Sequence, residues 1–228
     1  MKIVIESPEK IVLRMDKNHS LANSIRRSIE EIQTLAVDDV EFFRNDSALY
    51  DEFVAHRIGL IPLKTDKKMK EKTEITLKLK KSGPCAVYSS DLEGGAEIIY
   101  GNIPITLLEK AQEFEIVATA RLGKGVEHAK HIPGLCFYRD LVEVNLKWQE
   151  IIDKSKSFVK EKKGNFWLVD LNEAEIEEIT SRDEEAVKDS GEILLIIESF
   201  GQMKAKEILL EAIDVLNSNL SELEKSLK

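Results

Sequence analysis

The chain has 228 residues, 43% of them hydrophobic, and its 33 lysines and arginines against 42 aspartates and glutamates leave a net charge of −9. That length allows one large domain or two small ones with a hydrophobic core. The sequence has no apolar run near the ~18 residues of a membrane-spanning helix and no secretory signal pattern, so we expect a soluble, cytoplasmic protein without membrane contact.

The charge is unevenly distributed along the chain. Residues 64–81 contain eight lysines and three acids, whereas residues 170–189 contain nine acids and two basic residues. Such blocks are typical of solvated faces, although the lysine block could instead touch nucleic acid or an acidic partner. The acidic total argues against nucleic-acid binding over the whole surface. Cys85 and Cys136 are too few for a disulfide framework, and we expect two buried thiols.

The first predicted elements are a hairpin and a helix. Residues 2–6 and 10–15 are short apolar runs on either side of a turn, which predicts two paired strands. Ser20 is the expected N-cap of a helix that ends at about Leu35. One face of that helix carries apolar residues at spacings of four, four and three. These residues are Leu21, Ile25, Ile29 and Ile32.

Strands dominate the predicted middle of the chain. Residues 37–43 predict a strand, and a short helix over residues 50–58 is ended by Gly59. Clean alternation of apolar and polar residues predicts half-buried antiparallel strands further on. The alternating segments are residues 75–80, 114–122 and 142–148. Residues 173–188 predict a helix with a thin apolar stripe.

The C-terminus carries the clearest periodic signal. After a strand at residues 193–197, leucines and one isoleucine recur at alternating spacings of four and three, which is a heptad seam. The seam consists of Leu209, Ile213, Leu216, Leu220, Leu223 and Leu227. Further apolar residues between 208 and 215 widen this surface beyond what one neighbouring helix covers, which favours a partner chain. The pattern predicts a domain built from both chain ends with an insertion between them.

Motifs for chemistry are weak. Gly123-Lys124-Gly125 follows a strand but lacks the remaining residues of a phosphate-binding loop. His128 and His131, with Cys136 downstream, do not share a helix face as metal ligands would. His19 and His56 have no nearby partner that reads as a nucleophile and base. We predict no catalytic residues and no metal site.

Four blocks of sequence resemble the D-subunit family of archaeal DNA-directed RNA polymerase. That family extends to the third-largest subunit of eukaryotic polymerase II and to the amino-terminal domain of the bacterial alpha subunit. The blocks occur in the family's order and span nearly the whole chain. They are residues 22–27 with 35–38, the AHRIGLIPL run at 55–63, the loop region at 120–133, and residues 197–201 with 207–212.

The resemblance implies an α+β protein with a discontinuous dimerisation domain of antiparallel sheet and two helices, interrupted by a strand-rich insert domain. The expected boundaries are 1–42 with 191–228 for the dimerisation domain, 43–148 for the insert domain, and 149–190 for a shortened third region. It implies a non-catalytic assembly subunit that forms a heterodimer with subunit L. The pair would be the platform for the second-largest catalytic subunit and the small subunits N and P, so DNA is met only through the assembled polymerase.

The resemblance also implies roles for particular residues. The heptad seam and the apolar face of the first helix would form the dimer interface. Other residues would contact polymerase subunits. These are Arg26, Arg27, His56, Arg57, Gly123, Gly125, His128, Ala129 and Lys130.

One departure from the family concerns an iron–sulfur cluster. Many members carry a cysteine-rich insertion between the loop at 123–130 and the final strand and helix. The matching region here, roughly residues 149–191, contains no cysteine. We therefore predict no cluster and no cofactor.

Two other functions remain open from sequence. A self-contained nucleotide-binding enzyme would use the loop at residues 123–130. A homodimeric interaction module would resemble the bacterial alpha arrangement.

Overall fold

The computed structural model describes residues 1–66, 68–70 and 72–227. Lys67 and Glu71, which belong to the predicted lysine block, lie outside the described residues, as does Lys228. Five α-helices occur in the described part: α1 (His19–Ser28), α2 (Asp51–Gly59), α3 (Gln149–Lys154), α4 (Glu173–Thr180) and α5 (Ala205–Ser226). The strands there are β1 (Lys2–Glu6), β2 (Lys10–Asp16), β3 (Gln33–Asn45), β4 (Glu74–Ser82), β5 (Cys85–Tyr88), β6 (Glu93–Gly94), β7 (Pro104–Leu108), β8 (Glu113–Lys124), β9 (Gly134–Asn145), β10 (Lys160–Lys163), β11 (Phe166–Val169) and β12 (Val187–Ser199).

A six-stranded antiparallel sheet joins the two ends of the chain. Its strand order is β1-β2-β12-β9-β11-β10, and β1 and β2 form the hairpin that the sequence predicts. The predicted strand at residues 193–197 is also confirmed, because it forms the centre of β12. We call this sheet, with α1 and α5, the terminal unit.

Both faces of β12 are buried, which explains its unbroken apolar sequence. Ile193, Leu195 and Ile197 face α1 and α5 in the larger core. Leu194 and Ile196 face the other side, where Phe158 and Val159 of the third region help to cover them. Strand β12 is therefore the centre of the terminal unit.

The insert unit has its own sheet and core. Its four-stranded sheet has the order β3-β8-β4-β6, and a separate pair is formed by β5 and β7. Along β4 the side chains alternate between buried and exposed, as the sequence predicts for a strand with one wet face. Helix α2 packs against β3, with Val54 and Ile58 fully buried. The predicted mixture of helices and antiparallel sheets is confirmed.

Two strands pair across the predicted domain boundaries. Most of strand β3 lies within the predicted dimerisation segment, residues 1–42, and it pairs with β8 of the insert unit. Strand β9 lies within the predicted insert segment, residues 43–148, but it pairs with β12 of the terminal unit. Alternation identifies a strand but not the sheet that it joins, because the choice depends on long-range pairing.

The third region, residues 149–190, is folded onto the terminal unit. Its hairpin of β10 and β11 continues the six-stranded sheet through pairing of β11 with β9. Helices α3 and α4 cover a small core that includes Ile152 and Ile179. Helix α4 begins at a capping box between Asn172 and Glu175 and ends at Thr180. The predicted helix over residues 173–188 is thus too long, because Val187 and Lys188 already belong to β12.

Helix α1 differs from its prediction at both ends. Its N-cap is Asn18, whose side-chain oxygen accepts the backbone N–H of Leu21, and not Ser20. The helix ends at Ser28 and tightens into a 3-10 turn at Ile29–Glu31. Leu35 is part of β3. The apolar spacing continued past the real end because residues of the turn and strand also enter the core.

The two units meet at the loop between β12 and α5. The backbone N–H of Thr65 donates to the carbonyl of Gln202 at 3.0 Å, and the Thr65 hydroxyl accepts the N–H of Leu35 at 3.0 Å. Gly201 has φ +102°, and a Cβ there would lie 2.6 Å from Cγ2 of Ile99 in the insert unit. Position 201 therefore requires a glycine for two reasons. Its positive φ is unfavourable for other residues, and there is no space for a side chain.

Candidate functional site

The heptad seam of α5 divides into a packed part and an exposed part. Leu209 is buried in the core of the terminal unit, and Ile213 and Leu216 are partly buried against it. Leu220 and Leu223 are each 56% exposed, and Leu227 is 79% exposed. The helix therefore starts on its own sheet and carries its apolar seam beyond it.

The projecting part of α5 is one-sided. All residues from 217 to 227 are exposed, and this stretch of helix is about 16 Å long at ~1.5 Å per residue. The leucines at 220, 223 and 227 lie on one side, and Ser218 lies on the opposite side. An exposed leucine stripe of this kind is typical of a helix surface that packs on another helix.

The apolar face of α1 lies differently from the seam. Ile25, Ile29 and Ile32 are only 2–3% exposed, because they pack on the sheet and on α5 of their own chain. Leu21, at the first turn of α1, is 38% exposed. Of the predicted interface residues on α1, Leu21 is thus the one whose side chain offers area to a partner.

A second surface forms where α2 meets the loop at residues 123–130, which we call the glycine loop. Although more than 70 residues apart in sequence, His56 and His128 line one groove of about 220 Å³ together with Lys130. Val37 and Val40 of β3 form part of its apolar wall. The structure brings these three predicted contact residues together.

The predicted arginines lie outside this groove. Arg57 donates from Nη2 to the carbonyl of Pro104 at 2.5 Å. Arg26 donates to the side chain of Asn23 and lies 3.9 Å from a Glu30 carboxylate oxygen, and Arg27 is exposed. The α1 arginines therefore belong to a different surface from His56 and His128.

The space beside the two glycines of the glycine loop is occupied by other atoms of the chain. A Cβ at Gly123 would lie 2.5 Å from Nε2 of His131, and one at Gly125 would lie 3.0 Å from the carbonyl oxygen of Glu30. The N–H of Val126 donates to that same carbonyl at 3.0 Å. The glycines allow the loop to pack on the turn after α1, which is a structural role and not a phosphate cradle.

His131 is a structural residue whose role the sequence pattern did not reveal. Its Nδ1 lies 2.8 Å from the carbonyl oxygen of Thr34, so the ring donates this hydrogen bond, and the Thr34 hydroxyl donates to the carbonyl of His131. Burial lowers the pKa of His131 from its ordinary value. Residues 34 and 131 are 97 positions apart, and neither local spacing nor periodicity signals their contact.

An ion-pair network holds the glycine loop against β3. Asp38 accepts from Nζ of Lys130 at 3.0 Å and from Nη1 of Arg121 at 3.2 Å. The Lys130 ammonium, with a smaller effect from Arg121, lowers the pKa of Asp38. The charge of Lys130 is therefore paired within the chain, which fixes the position of the loop.

Other sites for chemistry are limited. No three histidine, cysteine, aspartate or glutamate side chains come together as a metal site would require in residues 1–66, 68–70 and 72–227. Cys85 is only half-buried, but burial raises the pKa of the Cys136 thiol to about 12. Among the helices that the structure describes, none has the length and apolar character needed to cross a bilayer.

We expect the stability of the insert unit to depend on pH through His131. Because its folded pKa is lower than the unfolded value, the unfolded state binds the proton more readily. The free energy of unfolding should therefore fall as the pH is lowered through the range just below 6.5. Urea unfolding from pH 7.5 to 5.0 measures this slope.

The matched variants are His131→Asn and His131→Leu. Asparagine keeps an N–H donor for Thr34 but does not titrate, so the slope should flatten with a modest loss of stability. Leucine leaves a buried carbonyl unpaired and should cost about 1–3 kcal/mol more. A slope in His131→Asn equal to that of the unaltered protein would contradict the assignment.

Comparison with known proteins gives two findings. Residues 31–134 match the family model described as the RNA polymerase Rpb3/RpoA insert domain. The chain is 34% identical to DNA-directed RNA polymerase subunit Rpo3 of Pyrococcus horikoshii, over 86% of this chain and 85% of that protein. It is 34% identical to the Rpo3 subunit of Pyrococcus furiosus, over 90% and 89%, and 32% identical to that of Methanocaldococcus jannaschii, over 92% and 86%.

Proposed function

This chain belongs to the Rpo3 family of archaeal DNA-directed RNA polymerase subunits, and on that premise we propose that it is a non-catalytic assembly subunit. Rpo3 is the archaeal D subunit, whose family the four sequence blocks indicate. In this proposal the chain pairs with subunit L in the cytoplasm. The pair is then the platform for the second-largest catalytic subunit and the small subunits N and P.

The exposed seam of α5 carries the proposal. Helix α5 is anchored at Leu209 in its own core and presents Leu220, Leu223 and Leu227 beyond it. Burying a leucine side chain contributes about 1.5–3 kcal/mol, so three of them supply a substantial part of an obligate interface. Leu21 of α1 adds exposed apolar area to the terminal unit.

The insert unit supplies the surface proposed for the larger subunits. On α2 and its two cap residues, Tyr50, Phe53 and Leu60 are 74%, 63% and 48% exposed and lie on the same side as His56 and Arg57. Aromatic residues and arginine are enriched in the hot spots of protein–protein interfaces. Arg26 and Arg27 of α1 are proposed to make charge-assisted contacts to a large subunit.

Catalytic and cofactor roles are absent from the proposal. We propose that nucleotide addition takes place on the catalytic subunits and that DNA is reached only through the assembled polymerase. The missing cysteines of residues 149–191 support a chain without an iron–sulfur cluster. The space beside Gly123 and Gly125 is occupied by His131 and by the turn after α1, which disfavours a nucleotide enzyme built around the glycine loop.

The test is co-expression with the archaeal subunit L from the same source. Size-exclusion chromatography with light scattering should give a 1:1 complex, and an iron and zinc assay on that peak should find no metal. The chain expressed alone should be prone to aggregate because its seam is uncovered. A stable monomer that ignores subunit L, or a stable homodimer, would contradict the proposed pairing.

A further inference from the structure

The groove between α2 and the glycine loop is built to accept one particular kind of side chain. It is lined by the two exposed imidazoles of His56 and His128, by Lys130 and Asp38, and by an apolar wall that includes Leu60. Its volume of about 220 Å³ accommodates a single side chain and not a small-molecule ligand of ordinary size.

The hydrogen bonds around the groove determine which atoms are free to bind. Nδ1 of His128 accepts the backbone N–H of Lys130 at 3.1 Å, so the proton of the neutral ring lies on Nε2, which is then a donor. The imidazole of His56 makes no hydrogen bond to any residue that the structure describes. Both rings are therefore available to a ligand atom that accepts hydrogen bonds.

The carboxylate of Asp38 in the groove is already paired with basic side chains of the same chain. One carboxylate oxygen of Asp38 is held by Lys130 and the other by Arg121. A cationic side chain entering the groove would find no carboxylate oxygen without a partner. An anionic side chain would find two imidazole N–H donors.

We infer that this groove receives one carboxylate side chain of a neighbouring polymerase subunit, held between His56 and His128. The inference rests on the proposed assembly function and names the chemistry of one of its contacts. Charge-assisted hydrogen bonds are stronger than neutral ones. Removal of the two imidazole donors should therefore weaken binding of the neighbouring subunit.

The experiment uses the heterodimer of this chain with subunit L and measures its dissociation constant for the isolated second-largest subunit. The double variant His56→Leu with His128→Leu removes both imidazole donors and should weaken binding roughly tenfold or more. The double variant His56→Gln with His128→Gln keeps an amide N–H donor at each position and should retain most of the affinity. His19→Leu removes an exposed histidine on the terminal unit, away from the groove, and should leave binding unchanged.

The outcomes separate this inference from the proposed function. A heterodimer that binds the large subunit equally well in the double leucine variant would overturn the carboxylate contact and leave the assembly role intact. Binding that is unchanged or tighter in the double leucine variant but weaker in Leu60→Ala would overturn it in favour of an apolar occupant. Failure to form the heterodimer, or to bind the large subunit at all, would overturn both.

Discussion

Leu220→Asp should abolish pairing with subunit L without unfolding the chain. Leu220 is 56% exposed and touches no core of its own chain, so the aspartate remains solvated in the free subunit. In the complex the same carboxylate would be buried in an apolar seam without a partner, at a cost of several kcal/mol. The dissociation constant should rise by at least about 100-fold, which is ~2.7 kcal/mol.

The matched control is Ser218→Asp. It adds the same charge to the same exposed stretch of α5, but on the side opposite to the seam. Its affinity for subunit L should stay within about twofold of the unaltered chain, by titration calorimetry or by co-purification. Equal effects of the two variants would remove the seam from the interface. Leu216→Asp is a poorer test, because Leu216 also packs on the chain's own core.

Gly201→Ala should destabilise the junction between the two units more than an ordinary glycine replacement does. At φ +102° an L-residue is strained, which costs about 1–3 kcal/mol. The new Cβ would also lie 2.6 Å from Cγ2 of Ile99, and such overpacking costs typically ~1–3 kcal/mol. We expect a total loss of about 2–6 kcal/mol in the free energy of unfolding, measured by urea denaturation.

Gly164→Ala separates the two causes. Gly164 also has a positive φ, of +58°, but nothing lies within 4 Å of the position where its Cβ would be. The substitution therefore adds backbone strain of about 1–2 kcal/mol without a clash. If both variants lose the same stability, the contact with Ile99 does not hold the units together.

The periodic signals in the sequence located elements well but not the surfaces that they serve. The seam of α5 is a continuous apolar stripe. Its leucines recur at the same spacing in the part that packs on the chain's own sheet and in the part that extends beyond the sheet. The boundary near residue 217 depends on where the sheet ends, which is a property of the whole fold. The resemblance implied that the apolar face of α1 meets a partner, whereas Ile25, Ile29 and Ile32 fill the chain's own core.

The motifs identified the loop around residue 123 as a feature of interest, but they did not identify the residues that hold the loop in place. Gly123 and Gly125 drew attention as a possible phosphate site, whereas their space is taken by His131 and by the turn after α1. The residues that position the loop come from distant segments, such as Thr34 and Asp38 on β3. Only the long pairing of β3 with β8 brings those segments together, and no local pattern encodes it.

The layout of the terminal unit determines the order in which the two units can fold while the chain is being synthesised. Strand β2 pairs with β12, and Arg14 on the first is bound to Glu192 on the second across 178 positions of sequence. The insert unit is contiguous, so its sheet can close while the C-terminal segment is still being made. The apolar faces of β1, β2 and α1 remain exposed until β12 and α5 have emerged from the ribosome. Long-range pairing of this kind folds slowly, and the nascent chain is the stage at which this subunit needs protection from aggregation.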